Sequence, residues 1–237
     1  MFSLCIPTMD RFDTFLNKNL KKYLLNELID EIIITDENGN DYEKIKNNFQ
    51  NEKLKVFKNK KQLGPFLNKL ECCKKAKNEW IVLMDSDNFA DQSYFDTLSK
   101  YIQMNNLTKL TILAPDFAKP RFDYTKILPK ILTNTSMKKM INKTSFLTAM
   151  NTGNYVLNKY LIENINISKE TENIKKSSSC DVIFFNTLLF EQFDVSFRII
   201  TGLNYEHVVH DGSVYLTTCS KYRDFNKQVH DRFNLLL

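Results

Sequence analysis

At 237 residues, with 43% of them hydrophobic, the chain has room for one full α/β domain and the core to go with it. A net charge of +5, from 33 basic and 28 acidic residues, is too mild and dispersed to make nucleic acid the partner. The cysteines (Cys5, Cys72, Cys73, Cys180 and Cys219) are odd in number and lack metal-ligand spacing, which argues against a disulfide framework and for reduced thiols in the cytoplasm. Phe2 to Ile6 is too short an apolar run for a signal peptide and Pro7 follows it directly. No stretch reaches the roughly 20 apolar residues that a transmembrane segment needs.

Phe2-Ser-Leu-Cys-Ile6 reads as a first strand, ended by Pro7. A helix follows with Phe12, Phe15, Leu16, Leu20, Tyr23 and Leu24 on one face. Glu31-Ile-Ile-Ile-Thr35 is the second strand, and Asp36 to Asp41 a polar loop containing the turn signal Asn38-Gly39. A short helix over Tyr42 to Phe49 leads to a third strand, Leu54 to Phe57. The next helix opens after Gly64, with Pro65 in its first turn, and runs to about Lys77 with Phe66, Leu67, Leu70, Cys73 and Ala76 as its apolar stripe.

Residues 80–84 are an unbroken apolar run, the pattern of a strand buried on both faces of a parallel sheet. At its end Asp85 and Asp87 arrive one residue apart, with Ser86 between them and Asn88 after. Ligands of open α/β sheets collect at such strand ends. The four residues suit a hard divalent cation, and equally a turn that caps the next helix. The β-α-β-α-β-α-β order predicts right-handed crossovers and a mostly parallel central sheet flanked by helices. Neither a Gly-x-Gly-x-x-Gly dinucleotide turn nor a phosphate loop is present, so phosphates need another counter-charge, which a metal held by acids supplies.

Leu83-Met-Asp-Ser-Asp-Asn88 resembles the Asp-x-Asp (DXD) motif of nucleotide-sugar glycosyltransferases of the GT-A fold, in particular the large inverting family 2. The resemblance implies that Asp87 holds a Mn2+ or Mg2+ ion bridging the donor's phosphates, with Asp85 near the ribose and the metal's waters. It extends from residue 2 to about 216. Pro7, Thr8, Asp10 and Arg11 match in type the segment that begins the family's nucleotide pocket. Asp36, with Asn38 beside it, falls where the family contacts base or ribose, a task suited to a carboxylate that accepts hydrogen bonds. Gly64 and Asn68 match residues flanking the donor; the family's usual Arg is replaced by Leu67, with Lys61 able to supply the charge.

Residues 92–105 read as a helix, Lys109 to Ala114 as a strand, and 119–143 as a basic patch of seven cations against Asp123. That patch suits an anionic acceptor or contact with a membrane surface, or is a solvated face. Asn151-Thr-Gly-Asn154-Tyr resembles the segment beneath the donor sugar, and 166–179 is a polar loop of the kind that closes over an acceptor. Asp181 stands where the family carries its catalytic base, with Cys180 in place of the usual Glu; alternatively it caps the helix Val182 to Phe190. Two late strands follow, Val195 to Ile199 and Tyr205 to Val209, and the stretch between Tyr205 and Tyr215 resembles the family's closing His-x-x-His-x-Gly-Ser element. The resemblance makes His210 a metal ligand beside Asp85 and Asp87, with His207 on the opposite strand face. An amphipathic helix from Ser220 closes the chain, with Tyr222, Phe225, Val229 and Phe233 inward.

The expectation is a single GT-A domain: a nucleotide-sugar half (1–90), an acceptor half (91–216) and a C-terminal helix (217–237). It implies transfer from a nucleoside-diphosphate sugar, UDP-linked as commonest in the family, to a glycan, glycoconjugate or protein hydroxyl, with inversion. The rivals are a nucleotidyltransferase that makes activated sugars, whose Gly-rich N-terminal signature is missing, and a non-catalytic nucleotide-sugar or glycan binder.

Overall fold

Four strands alternate with helices through the first ninety residues. The computed structural model describes residues 1–120, 122–126, 131–137, 153–170, 172, 181–211 and 223–236. β1 (Phe2–Thr8) leads through a π-helical turn (Phe12–Leu16) into α1 (Asn17–Leu24), followed by β2 (Ile29–Asp36), α2 (Asn40–Asn48), β3 (Leu54–Lys58), α3 (Pro65–Lys74) and β4 (Trp80–Leu83). Then come α4 (Gln92–Met104), β5 (Thr111–Lys119), β6 (Phe122–Asp123), β7 (Ile131–Thr133), the single turn α5 (Asn134–Met137), β8 (Val156–Asn158) and α6 (Lys159–Asn164). The last elements are α7 (Asp181–Gln192), β9 (Ser196–Glu206) and α8 (Arg223–Asn234).

Among the described residues the strands form one sheet in the order β3-β2-β1-β4-β8-β5-β9-β7, with β6 added to β5. β3, β2, β1 and β4 are mutually parallel. β8 inserts antiparallel between β4 and β5, and β9 runs parallel to β5. The carboxyl ends of β1, β2, β4, β5 and β9 therefore share one edge, where an open α/β sheet places its ligands. The core is continuous: Leu4, Ile32, Ile33, Ile34, Val82 and Leu83 are fully buried. Among the described residues no helix is long and apolar enough to cross a membrane.

Several expectations are corrected. Pro7 does not end the first strand: β1 runs on to Thr8, with Pro7 opposite Thr35 and Thr8 opposite Asp36. β5 continues past Ala114 to Lys119. The two late strands are one, Ser196–Glu206, bent at Gly202, whose φ of 84° is left-handed, beside a register shift against β5 at Pro115/Phe117. His207 to His210 lie beyond that strand, so strict alternation does not govern them. β8 was unforeseen because three residues carry too short a period to register in sequence. Asn151, Thr152, Ser177 to Cys180, Gly212, Ser213, Cys219, Tyr222, much of the 166–179 loop and part of the 119–143 patch lie outside the described residues.

Candidate active site

The Asp-Ser-Asp-Asn loop leaves β4 at the shared edge and is clamped from three sides. Asn88 N–H closes it back on the Asp85 carbonyl at 3.0 Å. Phe89 exchanges two backbone hydrogen bonds with Glu206 at the end of β9, 3.0 and 2.7 Å long. The Asn88 side chain accepts from Val208 N–H at 3.0 Å, and Tyr23 of α1 accepts at its hydroxyl from Ala90 N–H at 3.1 Å. This clamp explains how a histidine more than a hundred positions away reaches the motif. His210 Nε2 lies 3.1 Å from Asp87 Oδ2, and its ring rests on Phe15, centroids 5.2 Å apart. His207 sits elsewhere, its ring edge-on to Phe122 at 5.3 Å and to Tyr205 at 6.3 Å.

The two acids of the motif face different ways. Burial, and then the charge of Asp85, push the Asp87 carboxyl above its ordinary range, while the His210 hydrogen bond opposes them. Asp85 pairs with Lys69 instead: its Oδ1 lies 3.0 Å from Lys69 Nζ, and its backbone N–H donates to Asn154 Oδ1 at 2.6 Å. Asn154 also donates to the Tyr205 hydroxyl at 3.3 Å. Asp85, Asp87 and His210 are therefore not gathered into a three-ligand cluster; among the described residues no group of three or more His, Cys, Asp or Glu is arranged to hold a metal. Asp87 and His210 still offer one oxygen and one imidazole nitrogen at a single point. That donor set fits an ion such as Mn2+, which Asp87 and His210 would hold with phosphate or water completing its shell.

At the far side of Lys69 stands Asp181, the first residue of α7. Lys69 Nζ reaches its Oδ2 at 2.8 Å. Burial pushes the Asp181 carboxyl up, and the Lys69 ammonium pulls against it. For Lys69, burial alone would lower its pKa, but the charges of Asp181 and Asp85 outweigh that and hold the ammonium high. α7 comes this close because Gly153 has no side chain: a Cβ there would lie 2.6 Å from Val182 Cγ2.

The rim over β1 and β2 is a hydrogen-bonded lattice. Asp41 receives Thr8 Oγ1 at 2.6 Å, Arg11 N–H at 2.9 Å and Phe12 N–H at 2.9 Å, and so caps the π-helical turn. Asp10 has the left-handed φ of 57°, and its carboxylate takes Asn38 Nδ2 at 2.8 Å and Asn40 Nδ2 at 2.7 Å. Asp36 is fully buried, accepting Tyr42 N–H at 2.8 Å, and burial raises its pKa. Gly64 N–H donates to Glu37. Asn68 is turned into the helix–sheet seam, donating to the Thr35 carbonyl at 3.2 Å and accepting from Asn59 at 2.9 Å. Ser86 is buried within the loop, whereas Lys61 is exposed.

Sequence reasoning missed Lys69 and Asp41. Lys69 carried a signal: it lies three residues after Phe66 and four before Cys73, a cation on the buried stripe of α3. Asp41 was assigned to the loop and carried no such mark.

Comparisons with known proteins agree with this geometry. A family model described as glycosyl transferase family 2 matches residues 3–163. No curated protein matches the sequence. Among solved structures, S. aureus TarS 1–349 in complex with UDP is similar with a TM-score of 0.67 at 13% identity, covering 99% of this chain and 64% of that one. The same TarS fragment with UDP-GlcNAc gives 0.67 at 14%, covering 98% and 66%. GalNAc-T7 with UDP, GalNAc and Mn2+ gives 0.62 at 14%, covering 99% and 50%. The chain thus spans about two thirds or less of these proteins' lengths. It has the GT-A fold and belongs to glycosyl transferase family 2.

Proposed function

We propose that this protein transfers a sugar from a UDP-sugar to an acceptor hydroxyl with inversion, that Asp87 and His210 hold a divalent cation, and that Asp181 is the base. The observation that carries the reading is the Asp87–His210 pair at the sheet edge together with a buried carboxylate on α7 that Lys69 links to Asp85 of the same motif. The UDP, UDP-GlcNAc and Mn2+ present in the TarS and GalNAc-T7 structures support it.

The donor's nucleoside would lie over the ends of β1 and β2, within reach of Asp10, Arg11 and Asn38, while the fully buried Asp36 holds the loop beneath them. The positive charge of Arg11 is felt at Asp87, on the side where the diphosphate would lie. A bound cation would supply the charge that the leaving diphosphate needs, in a chain that has no phosphate loop. Asp181 accepts the proton of the acceptor hydroxyl as its oxygen bonds to the anomeric carbon, while the bond from that carbon to the phosphate oxygen breaks on the opposite face. Asn154, fixed to Asp85, sets the floor beneath the sugar.

The test is UDP release from a panel of UDP-sugars with Mn2+, with and without glycan acceptors, followed by NMR of the product's anomeric coupling. Turnover of one UDP-sugar with an inverted product is the expected result. No turnover and no UDP binding would overturn the reading.

A further inference from the structure

The Lys69 side chain is only 9% exposed, yet it touches two acids to which the chain gives different tasks. It sits 3.0 Å from Asp85 Oδ1 on the donor side and 2.8 Å from Asp181 Oδ2 on the acceptor side. The second contact joins residues 112 positions apart. It forms because α3 packs on α7 through Phe66, whose ring meets Phe184 at 4.8 Å and Phe185 at 5.6 Å, both edge to face.

Stability does not account for the lysine. Desolvating the Lys69 ammonium and the Asp181 carboxylate is costly, and apolar side chains of similar volume often serve a core equally well or better. A lysine on the apolar stripe of α3 is better explained by what it holds. Asp85 is itself fixed by Asn154 through its backbone, so the Lys69 bridge ties Asp181 to the same rigid loop that carries Asp87.

We propose that Lys69 is a positioning residue for the transfer step: it fixes the Asp181 carboxylate at a set distance from the Asp-Ser-Asp loop and hence from the bound donor. The inference rests on the reading of Asp181 as base. Lys69 acts through Asp181 and takes no proton from the acceptor. Its effect belongs in the rate of transfer rather than in donor binding, because a base displaced by about 1 Å can cost on the order of 10²-fold.

The test is a double-mutant cycle of Lys69→Met and Asp181→Asn, with Lys69→Arg as the conservative variant, using whichever UDP-sugar the wild type turns over. Lys69→Met should lower kcat by about 10- to 100-fold with donor KM within about threefold. It should add no further loss in the Asp181→Asn background, and Lys69→Arg should recover part of the rate because it restores the charge. A further tenfold loss in the Asp181→Asn background, or a raised KM at unchanged kcat, would overturn the proposal. If Lys69→Met alone does not fold, the comparison of Asp181→Asn with the double variant still decides, since the double variant leaves one acid unpaired instead of two. Wild-type turnover and its loss in Asp181→Asn test the reading of the base separately.

Discussion

The rim over β1 and β2 and the charged floor around Lys69 are built on opposite principles. At the rim, over β1 and β2, polar side chains about thirty positions apart satisfy one another: Thr8, Asp10, Asn38, Asn40 and Asp41. At the floor, Asp85 at the edge and the buried Lys69 and Asp181 pair as charges, drawn from three elements and separated by up to 112 positions. Rim bonds set backbone geometry over the strand ends, where each is worth about 1 kcal/mol net. Floor charges are costly to bury and leave a large penalty when one partner is removed. The rim should therefore govern affinity and local order, and the floor should govern rate.

The largest expected break of that division is Asp181→Asn. It keeps the shape of the side chain and leaves Lys69 paired with Asp85, so the fold and donor affinity should hold while loss of the buried ion pair lowers the melting temperature. Transfer should fall by about 10²- to 10⁴-fold, about 3–5 kcal/mol at 1.36 kcal/mol per decade. A near wild-type rate would make Asp181 a helix-end acid and nothing more.

Asp41→Ala tests the rim. It strips the partner from the Thr8 hydroxyl and from the Arg11 and Phe12 amides, and should destabilise by about 2–3 kcal/mol. Chemical denaturation should show that loss together with weaker UDP binding, while kcat at saturating donor stays within a few-fold. A kcat collapse at saturation would erase the distinction between rim and floor.

Smaller again is Gly153→Ala. The added Cβ must displace Val182, so the start of α7 moves, at a cost of about 1–2 kcal/mol. Because α7 carries Asp181, rate should fall more than donor affinity, and equal falls would argue against a precise floor.

How much of this was legible in the sequence follows the same line. The rim and the motif could be found because they sit at the ends of strands with clear apolar runs, Ile32–Ile34 and Ile81–Leu83. The family resemblance carried His210 and Asp181 as candidates, and the sheet edge then brought them near the motif. Lys69 could not be assigned, since its partners come from a β4 loop and from α7, and only helix packing joins them. The Lys69–Asp85 contact was hidden for the same reason, since the motif alone does not reveal it. β8 and the single long β9 escaped because strand length and bending depend on neighbours, not on local period.

The smallest expected effect separates the two histidines. His210→Ala should raise the Mn2+ concentration for half-maximal activity by about tenfold, the lower end of what losing a residue at a metal site costs. His207→Ala should leave that concentration unchanged and lower the melting temperature, because its ring packs among Phe122 and Tyr205. The reverse pattern would move the cation away from Asp87.

The central claim is that the Asp87 end of the motif binds the donor's diphosphate through a cation. Calorimetric titration of UDP into the wild type and Asp87→Asn, each with Mn2+ and with EDTA, tests it most directly. The wild type should bind UDP with Mn2+ and lose at least about tenfold in affinity in EDTA, and Asp87→Asn should behave in Mn2+ as the wild type does in EDTA. Equal UDP affinity for the wild type in Mn2+ and in EDTA would contradict the account.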